Sequence, residues 1–186
     1  MTQDPANPYL LRATLSGGLR VALRPLRGTD REAVASGFRH LSADSRLARF
    51  LEPMPRLPDH DLDLLVGAQP EDERLALALV WPRNSCADVL IGVGRAIRLP
   101  DRPDTADVGV VVADEIQGQG AGRLIVRVLA DAALALGLIR FTGVLLPTND
   151  ASARMLASVG TVESDTVSQG QREMTVLLRP VGPPSP

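Results

Sequence analysis

Apolar and polar positions change period several times along the chain, and each change predicts an element. Leu10–Leu15 and Leu19–Arg24 flank Ser16-Gly17-Gly18, a hairpin signal. Val34, Phe38 and Leu41 fall on one helical face behind Thr29 or Asp30, either of which can cap that helix. Ser42 caps a second short helix, ADSRLARFL. EPMPRLP then breaks the chain, and Asp59–Val66 reads as a third helix. Arg74–Trp81 and Val89–Ile97 are apolar strands joined by a PRNSCA turn, and PDRPDT is a polar loop. The valines of Asp107–Ala113 predict a strand buried on both faces. A helix follows to Leu136, with Leu124, Val128, Ala132 and Leu136 as its apolar stripe and Gly137 as its C-terminal cap. Phe141–Leu146 is a strand. Asn149–Val159 is a helix capped by Thr148 or Asn149 and stopped by Gly160. Thr161–Asp165 and Arg172–Leu178 complete the sheet. The order ββααα-ββ-β-α-β-α-ββ predicts a mixed α/β fold around one sheet. It forms a single domain over residues 10–179, with a flexible leader at 1–9 and a disordered tail at 180–186.

Composition narrows the function classes. The 186 residues can bury a core of ordinary domain size, and a net charge of −2 with 45% hydrophobic residues exerts no pull toward nucleic acid or membrane. No apolar stretch approaches the roughly 20 residues of a membrane span, and MTQDPANPY lacks the features of a signal peptide, so a cytoplasmic location is expected. Cys86 is the single cysteine and sits at an expected hairpin tip. With only His40 and His60 beside it, no metal centre is expected. Every one of the 20 basic residues is arginine. The absence of lysine excludes a Walker P-loop and Schiff-base chemistry.

The densest chemical signal is DEIQGQGAGR at 114–123, three alternating glycines between an apolar strand and a helix. Glycine there weakens the helix by about 1 kcal/mol each relative to alanine, so bare backbone must serve a purpose. A dinucleotide fingerprint needs glycine where Arg123 stands. Tight packing of a structural loop remains open. So does an anion cradle, in which successive N–H groups at the positive end of a helix face a pyrophosphate.

Gln117-Gly118-Gln119-Gly120-Ala121-Gly122 resembles the (Q/R)-x-x-G-x-(G/A) motif of the GNAT superfamily of N-acetyltransferases, where it binds the pyrophosphate of coenzyme A. Asn149, Ser152 and Gly160 are similar to that superfamily's N-x-x-S-…-G segment, and Arg24-Pro25-Leu26 with Asp30 to its opening strand and helix. The likeness spans about residues 10–178. It implies an acyl-CoA N-acyltransferase fold: a single, mostly antiparallel sheet flanked by helices, in which the superfamily's fourth and fifth strands splay apart. LRATLSGGLRVALRPLRGTD, LSADSRLARF and ADVGVVVADEIQGQGAG further resemble the GNAT domain of bacterial Pat-type protein lysine acetyltransferases. Thr161 and Gln119 depart from that pattern, which usually has Phe and Arg there.

The resemblance implies acetyl-CoA as co-substrate, no metal, and transfer of an acetyl group to a primary amine. That amine is expected to be a protein lysine, with a polyamine- or aminoglycoside-type small molecule and a non-catalytic acyl-CoA sensor as alternatives. A monomer or a homodimer is compatible with it. Amine acetylation needs a base, because a free lysine of pKa near 10.4 is neutral in only about one molecule in a thousand at pH 7.4. It also needs N–H donors for the oxyanion. By resemblance the donors come from Val110, Val111 and Val112, the pyrophosphate lies on residues 117–123 including Arg123, and Asn149 and Ser152 meet the pantetheine arm. Asn149 also reads as a helix N-cap. The base implied is Asp107, one methylene shorter than the usual glutamate, with Asp104 a weaker candidate. Asp114 and Glu115 are expected to turn to water; Arg46 and Arg49, on the helix pair that borders the acceptor cleft by resemblance, are expected to be solvated or else to read an acidic substrate. The tyrosine acid of many relatives is replaced by Leu156. A thiolate whose parent thiol has a pKa near 8.5 can leave without it.

Overall fold

The computed structural model describes residues 10–66, 74–83 and 87–180. The leader, Cys86 and the tail from 181 lie outside the described residues. The elements follow the expected order: β1 (Leu11–Thr14), β2 (Arg20–Pro25), α1 (Arg31–His40), α2 (Ala43–Phe50), α3 (Asp59–Val66), β3 (Arg74–Trp81), β4 (Val89–Leu99), β5 (Arg102–Val112), α4 (Ala121–Ala135), β6 (Arg140–Leu145), α5 (Asp150–Ala157), β7 (Gly160–Ser168) and β8 (Gln171–Leu178). They build one eight-stranded sheet in the order β1-β2-β3-β4-β5-β6-β8-β7. Every neighbouring pair is antiparallel except β5–β6.

Alternation along the central strands sends side chains into two cores. On β3, Leu77 and Leu79 face α4 and α5, where they meet Ile125, Leu129, Phe141 and Leu156. Ala78 and Val80 face α1–α3, where they meet Val34, Phe38, Leu62 and Leu65. This two-sided burial explains why the strand reads as a continuous apolar run.

Several expectations shift. The buried row of α4 is Ile125, Leu129 and Ala133 with Ala121, Val126 and Ala130, one position beyond the expected stripe. Leu124 and Val128 are partly buried flanks, and Leu136 lies past the last turn, exposed. The sheet decides this register: Gly94 presents bare backbone on which Ile125 seats, with Leu129 Cδ1 3.0 Å from where a Cβ would stand. β5 begins at Arg102, inside the expected loop, because its backbone pairs with β4 while Arg102 and Pro103 stay exposed and Thr105 turns inside. Its valines are not fully buried: Val108 through Val111 are half-buried and only Val112 is inside. Gly160 does not end α5. It opens β7, where a Cβ would stand 2.8 Å from the Leu177 carbonyl carbon. Gly137 does cap α4: its φ is 76°, its N–H donates to Leu134 O, and that of Leu138 donates to Ala133 O.

Ser42 caps α2 as expected, accepting from Ser45 N–H at 3.1 Å. Asp30 precedes α1 without capping it by side chain. Its carboxylate is held in a fork by Arg24 at 2.7 and 2.8 Å and also accepts the Arg27 N–H at 2.8 Å. Burial pushes the Asp30 carboxyl up, but the Arg24 hydrogen bonds, the Arg27 N–H and the two positive charges outweigh it and hold it below the usual carboxylate range. Asp30→Ala should cost about 3–5 kcal/mol in urea unfolding at pH 7, because the buried Arg24 guanidinium loses its carboxylate fork. A carboxylate with a depressed folded pKa stabilises above its unfolded value and loses that effect as pH falls through the folded value. The gap between wild type and variant should therefore narrow below about pH 4.

Candidate active site

The site grows from one interruption in the sheet. β5 and β6 pair in parallel only at Thr105–Arg140, Ala106–Phe141 and Asp107–Thr142. Beyond Asp107 the two strands part, and Val108–Val112 continue beside β4 alone. The wedge opens into a cleft of about 460 Å³ lined by Val110, Val111 and Val112, the glycine loop, and the start of α5.

The loop has the conformation its glycines allow. Gly118 and Gly120 have φ of 74° and 90°, left-handed values at which a side chain is strained. The first intrahelical bond of α4 runs from Leu124 N–H to Gly120 O at 3.0 Å. The N–H groups of Ala121, Gly122 and Arg123 lie ahead of it and have no intrahelical acceptor. Gly122 serves packing: a Cβ there would stand 2.9 Å from Met155 Sδ on α5. Bare N–H groups at a helix N-terminus suit an anion.

Braces hold this loop to α2. Asp114 does not turn to water. It accepts the Ser42 N–H at 2.6 Å, the Ser45 hydroxyl, and the Gln117 amide at 2.8 Å. Burial pushes its carboxyl up, but the bonds from Ser45, Ser42 and Gln117 prevail and hold it below the usual range. Gln117 also donates to Val112 O at 3.2 Å and Ser45 Oγ at 3.0 Å, while its own N–H donates to Asp114 O. Its side chain therefore braces the cleft. Gln119 does not line the cleft. Its amide donates to Glu115 O and its carbonyl accepts the Ser16 N–H, fastening the loop to the β1–β2 turn.

A family model described as the acetyltransferase (GNAT) domain matches residues 20–162. The chain belongs to the GNAT acetyltransferase family. Acetyltransferase PA5475 of Pseudomonas aeruginosa is 28% identical over 149 residues, 80% of this chain and 78% of that one. The GNAT domain of S. lividans PAT superposes with a TM-score of 0.80 at 23% identity, over 95% of this chain and 100% of that domain. The cAMP-binding acyltransferase from Mycobacterium smegmatis matches 91% of this chain with 47% of its own length, at a TM-score of 0.60 and 19% identity. The acetyltransferase yncA from Salmonella typhimurium, solved with its cofactor acetyl-CoA, matches at a TM-score of 0.66 and 21% identity over 89% of this chain and 98% of that one. Among the described residues no helix is long and apolar enough to cross a membrane, and no three metal-ligating side chains cluster.

Other expected site residues of this GNAT chain fall as follows. Asn149 and Ser152 line the cleft, and Asn149 Oδ1 accepts the Ser152 N–H at 3.1 Å as the cap of α5. Arg123 is exposed at the cleft rim, joined there by Arg154, which sequence reasoning passed over. Leu156 is buried in the core and offers no acid. Asp104 is bound to Arg140 at 2.6 Å and to the Thr105 hydroxyl, away from the wedge. Asp107 stands where β5 and β6 part, its side chain 38% exposed, with Arg95 at 3.8 Å.

Arg49 departs from the solvated expectation. It is half-buried: its guanidinium lies against Gly109, where a Cβ would stand 2.7 Å from Cζ, and 5.0 Å from the Phe50 ring centroid. Burial, and then the like charge of Arg95, push its pKa down to about 10 against the pull of Asp107 and Asp61. Arg46 sits over Phe38 and donates to Pro55 O. A signal for Arg95 was present, an arginine set between Gly94 and Ala96 inside the largely apolar run VLIGVGRAIRL.

Asp114→Ala would leave three donors short of their acceptor. Stability should fall by about 1–3 kcal/mol, and hydrogen exchange at the first amides of α2 and at Gln117 should quicken. Exchange as slow as in wild type would mean that the brace contributes nothing.

Proposed function

We propose that this chain transfers the acetyl group of acetyl-CoA to a primary amine in the cytoplasm, with Asp107 as general base. The observation that carries the proposal is the cleft itself, where free N–H groups at the start of α4 face a space bounded by the splayed end of β5. Its residues fit the co-substrate. The two left-handed glycines let a pyrophosphate approach Gly118–Arg123 without meeting a side chain, and Arg123 and Arg154 stand at the rim for its negative charge. The backbone of Val110–Val112 is left without a β6 partner and can donate to the acyl oxygen. Asn149 and Ser152 border the path between loop and strand. Bound acetyl-CoA supplies the activated acyl group, as it is carried by the Salmonella relative.

Asp107 lies about 10 Å along the strand from Val110 at roughly 3.3 Å per residue. Its carboxylate therefore serves the amine and not the thioester, and takes the amine's proton through a water. The likeness to the PAT domain supports a lysine acceptor. The hollow on the α1–α3 side of β5 supports the alternative, a small amine. It is about 70 Å³ and lined chiefly by apolar side chains together with Arg49 and Arg95, a space better suited to a small molecule than to a polypeptide.

Gly120→Asp should abolish acetyl-CoA binding in calorimetry while circular dichroism stays native, because it adds a negative charge inside the nest. Undiminished affinity would remove the basis of the proposal. Asp107→Asn should lower turnover at pH 7 by about 10²–10³ with little change in acetyl-CoA affinity, and higher pH should restore part of the loss. A shared pH–rate profile for variant and wild type would show that Asp107 is not the base.

A further inference from the structure

Arg49 and Arg95 meet over Gly109, and nothing described so far uses both. Arg95 faces Gly109 directly across the β4–β5 ladder, so the two occupy the same face of the sheet. Glycine at 109 is what admits Arg49, since a side chain there would overlap its Cζ and its Nε, 3.1 Å from the Cβ position. Among the described residues Arg49 forms neither a hydrogen bond nor an ion pair. Arg95 Nε is buried without a hydrogen-bond partner. Among the described residues the carboxylate close to the pair is Asp107, 3.8 Å from Arg95. Asp61 of α3 also acts on Arg49, at longer range.

Two guanidinium groups thus face Asp107 and, farther off, Asp61, beside an apolar hollow lined by Val34, Phe38, Leu65 and Val111. A guanidinium without a hydrogen bond and a buried unbonded N–H in such a place cost stability unless an anion completes them. The hollow also touches the cleft, because Arg49, Val111 and Val112 line both. An anion held here would stand next to the acetyl-transfer point.

We propose that this hollow selects acceptors carrying a carboxylate beside the primary amine, an amino acid or a similar small amino carboxylate, with the carboxylate gripped by Arg49 and Arg95. The inference rests on the acetyl-transfer reading above and names its substrate class. A guanidinium fork matches a carboxylate in shape and charge. A simple amine would bring only its ammonium into a positive site. An amino carboxylate brings its own compensating charge, and pinning it by the carboxylate turns its amine toward Asp107. The hollow's size suits a carboxylate with a short apolar side chain and not a folded polypeptide.

The test measures thiol release from acetyl-CoA with amino acids, each paired with the amine left by removing its carboxylate, and with a lysine-containing peptide as a third arm. The amino carboxylates of apolar side chain should exceed their partner amines in kcat/KM by about 10²-fold or more, the scale of losing one partner of a buried charge pair. Arg95→Met should bring that ratio down toward one, mainly through the acceptor KM, while holding its acetyl-CoA affinity in calorimetry. Gly109→Ala, which displaces the Arg49 guanidinium, should lower the ratio as well, so the proposal does not hang on one variant's folding. Partner amines or the peptide acetylated as well as the amino carboxylates would overturn the inference and leave acetyl transfer standing. A ratio untouched by both variants would overturn it too. Failure of acetyl-CoA to bind would instead overturn the acetyl-transfer reading itself.

Discussion

The structure depends on where β5 stops pairing with β6. Three parallel pairs hold the strands together up to Asp107, and none follows. Inside a sheet such a break strands backbone N–H and C=O groups, which need partners or a ligand. The fold tolerates it because each strand keeps its other neighbour: β5 stays paired to β4 through Val112, and β6 to β8 through Leu145. The opening is thus a defect supported on both sides. The half-burial of Val108–Val111 is its direct consequence.

The wedge alone would be a crack; the braces around it shape a cleft. Asp114 and Gln117 tie the glycine loop to Ser42 and Ser45 at the start of α2 and to Val112 O at the end of β5. Met155 on α5 closes on Gly122, so α4 and α5 meet tightly below the loop. The same α2 carries Arg49 across to Gly109. The glycine loop and the Arg49 side chain over Gly109 are therefore positioned by one short helix, itself capped by Ser42 and Asp114.

The element order was legible because it rests on local signals: two-residue and 3.6-residue periods, caps, and Gly or Pro breaks. The glycine loop was legible for the same reason, since positive φ at 118 and 120 is a demand made within a few residues. What escaped were facts of register between distant elements. The buried row of α4 depends on Gly94 of β4 receiving Ile125. The start of β5 depends on its pairing with β4, not on its own polar composition. Asp114 reads as a solvent-facing acid until Ser42 and Ser45, some seventy positions earlier, are folded against it. Arg49 reads as a solvated helix residue or a reader of acidic substrate, and its seat over Gly109 shows only once the chain is folded. The parting of β5 from β6 leaves no mark in the residues themselves and entered only through resemblance to the GNAT superfamily.

The chain's exclusive use of arginine bears on that last cluster. A lysine in the position of Arg49, desolvated and beside Arg95, would be driven toward its neutral form and lose its hold on an anion. Arginine begins from a far higher pKa. Even pushed down to about 10, Arg49 stays charged at neutral pH. The two positive groups beside Asp107 are therefore permanent, and it is the molecule entering the hollow that must adapt to them. The transfer needs a neutral amine, and fixed positive charge nearby favours that form over the ammonium. The same pair that would grip a carboxylate would help release the amine's proton, which lightens the work left to the short side chain of Asp107.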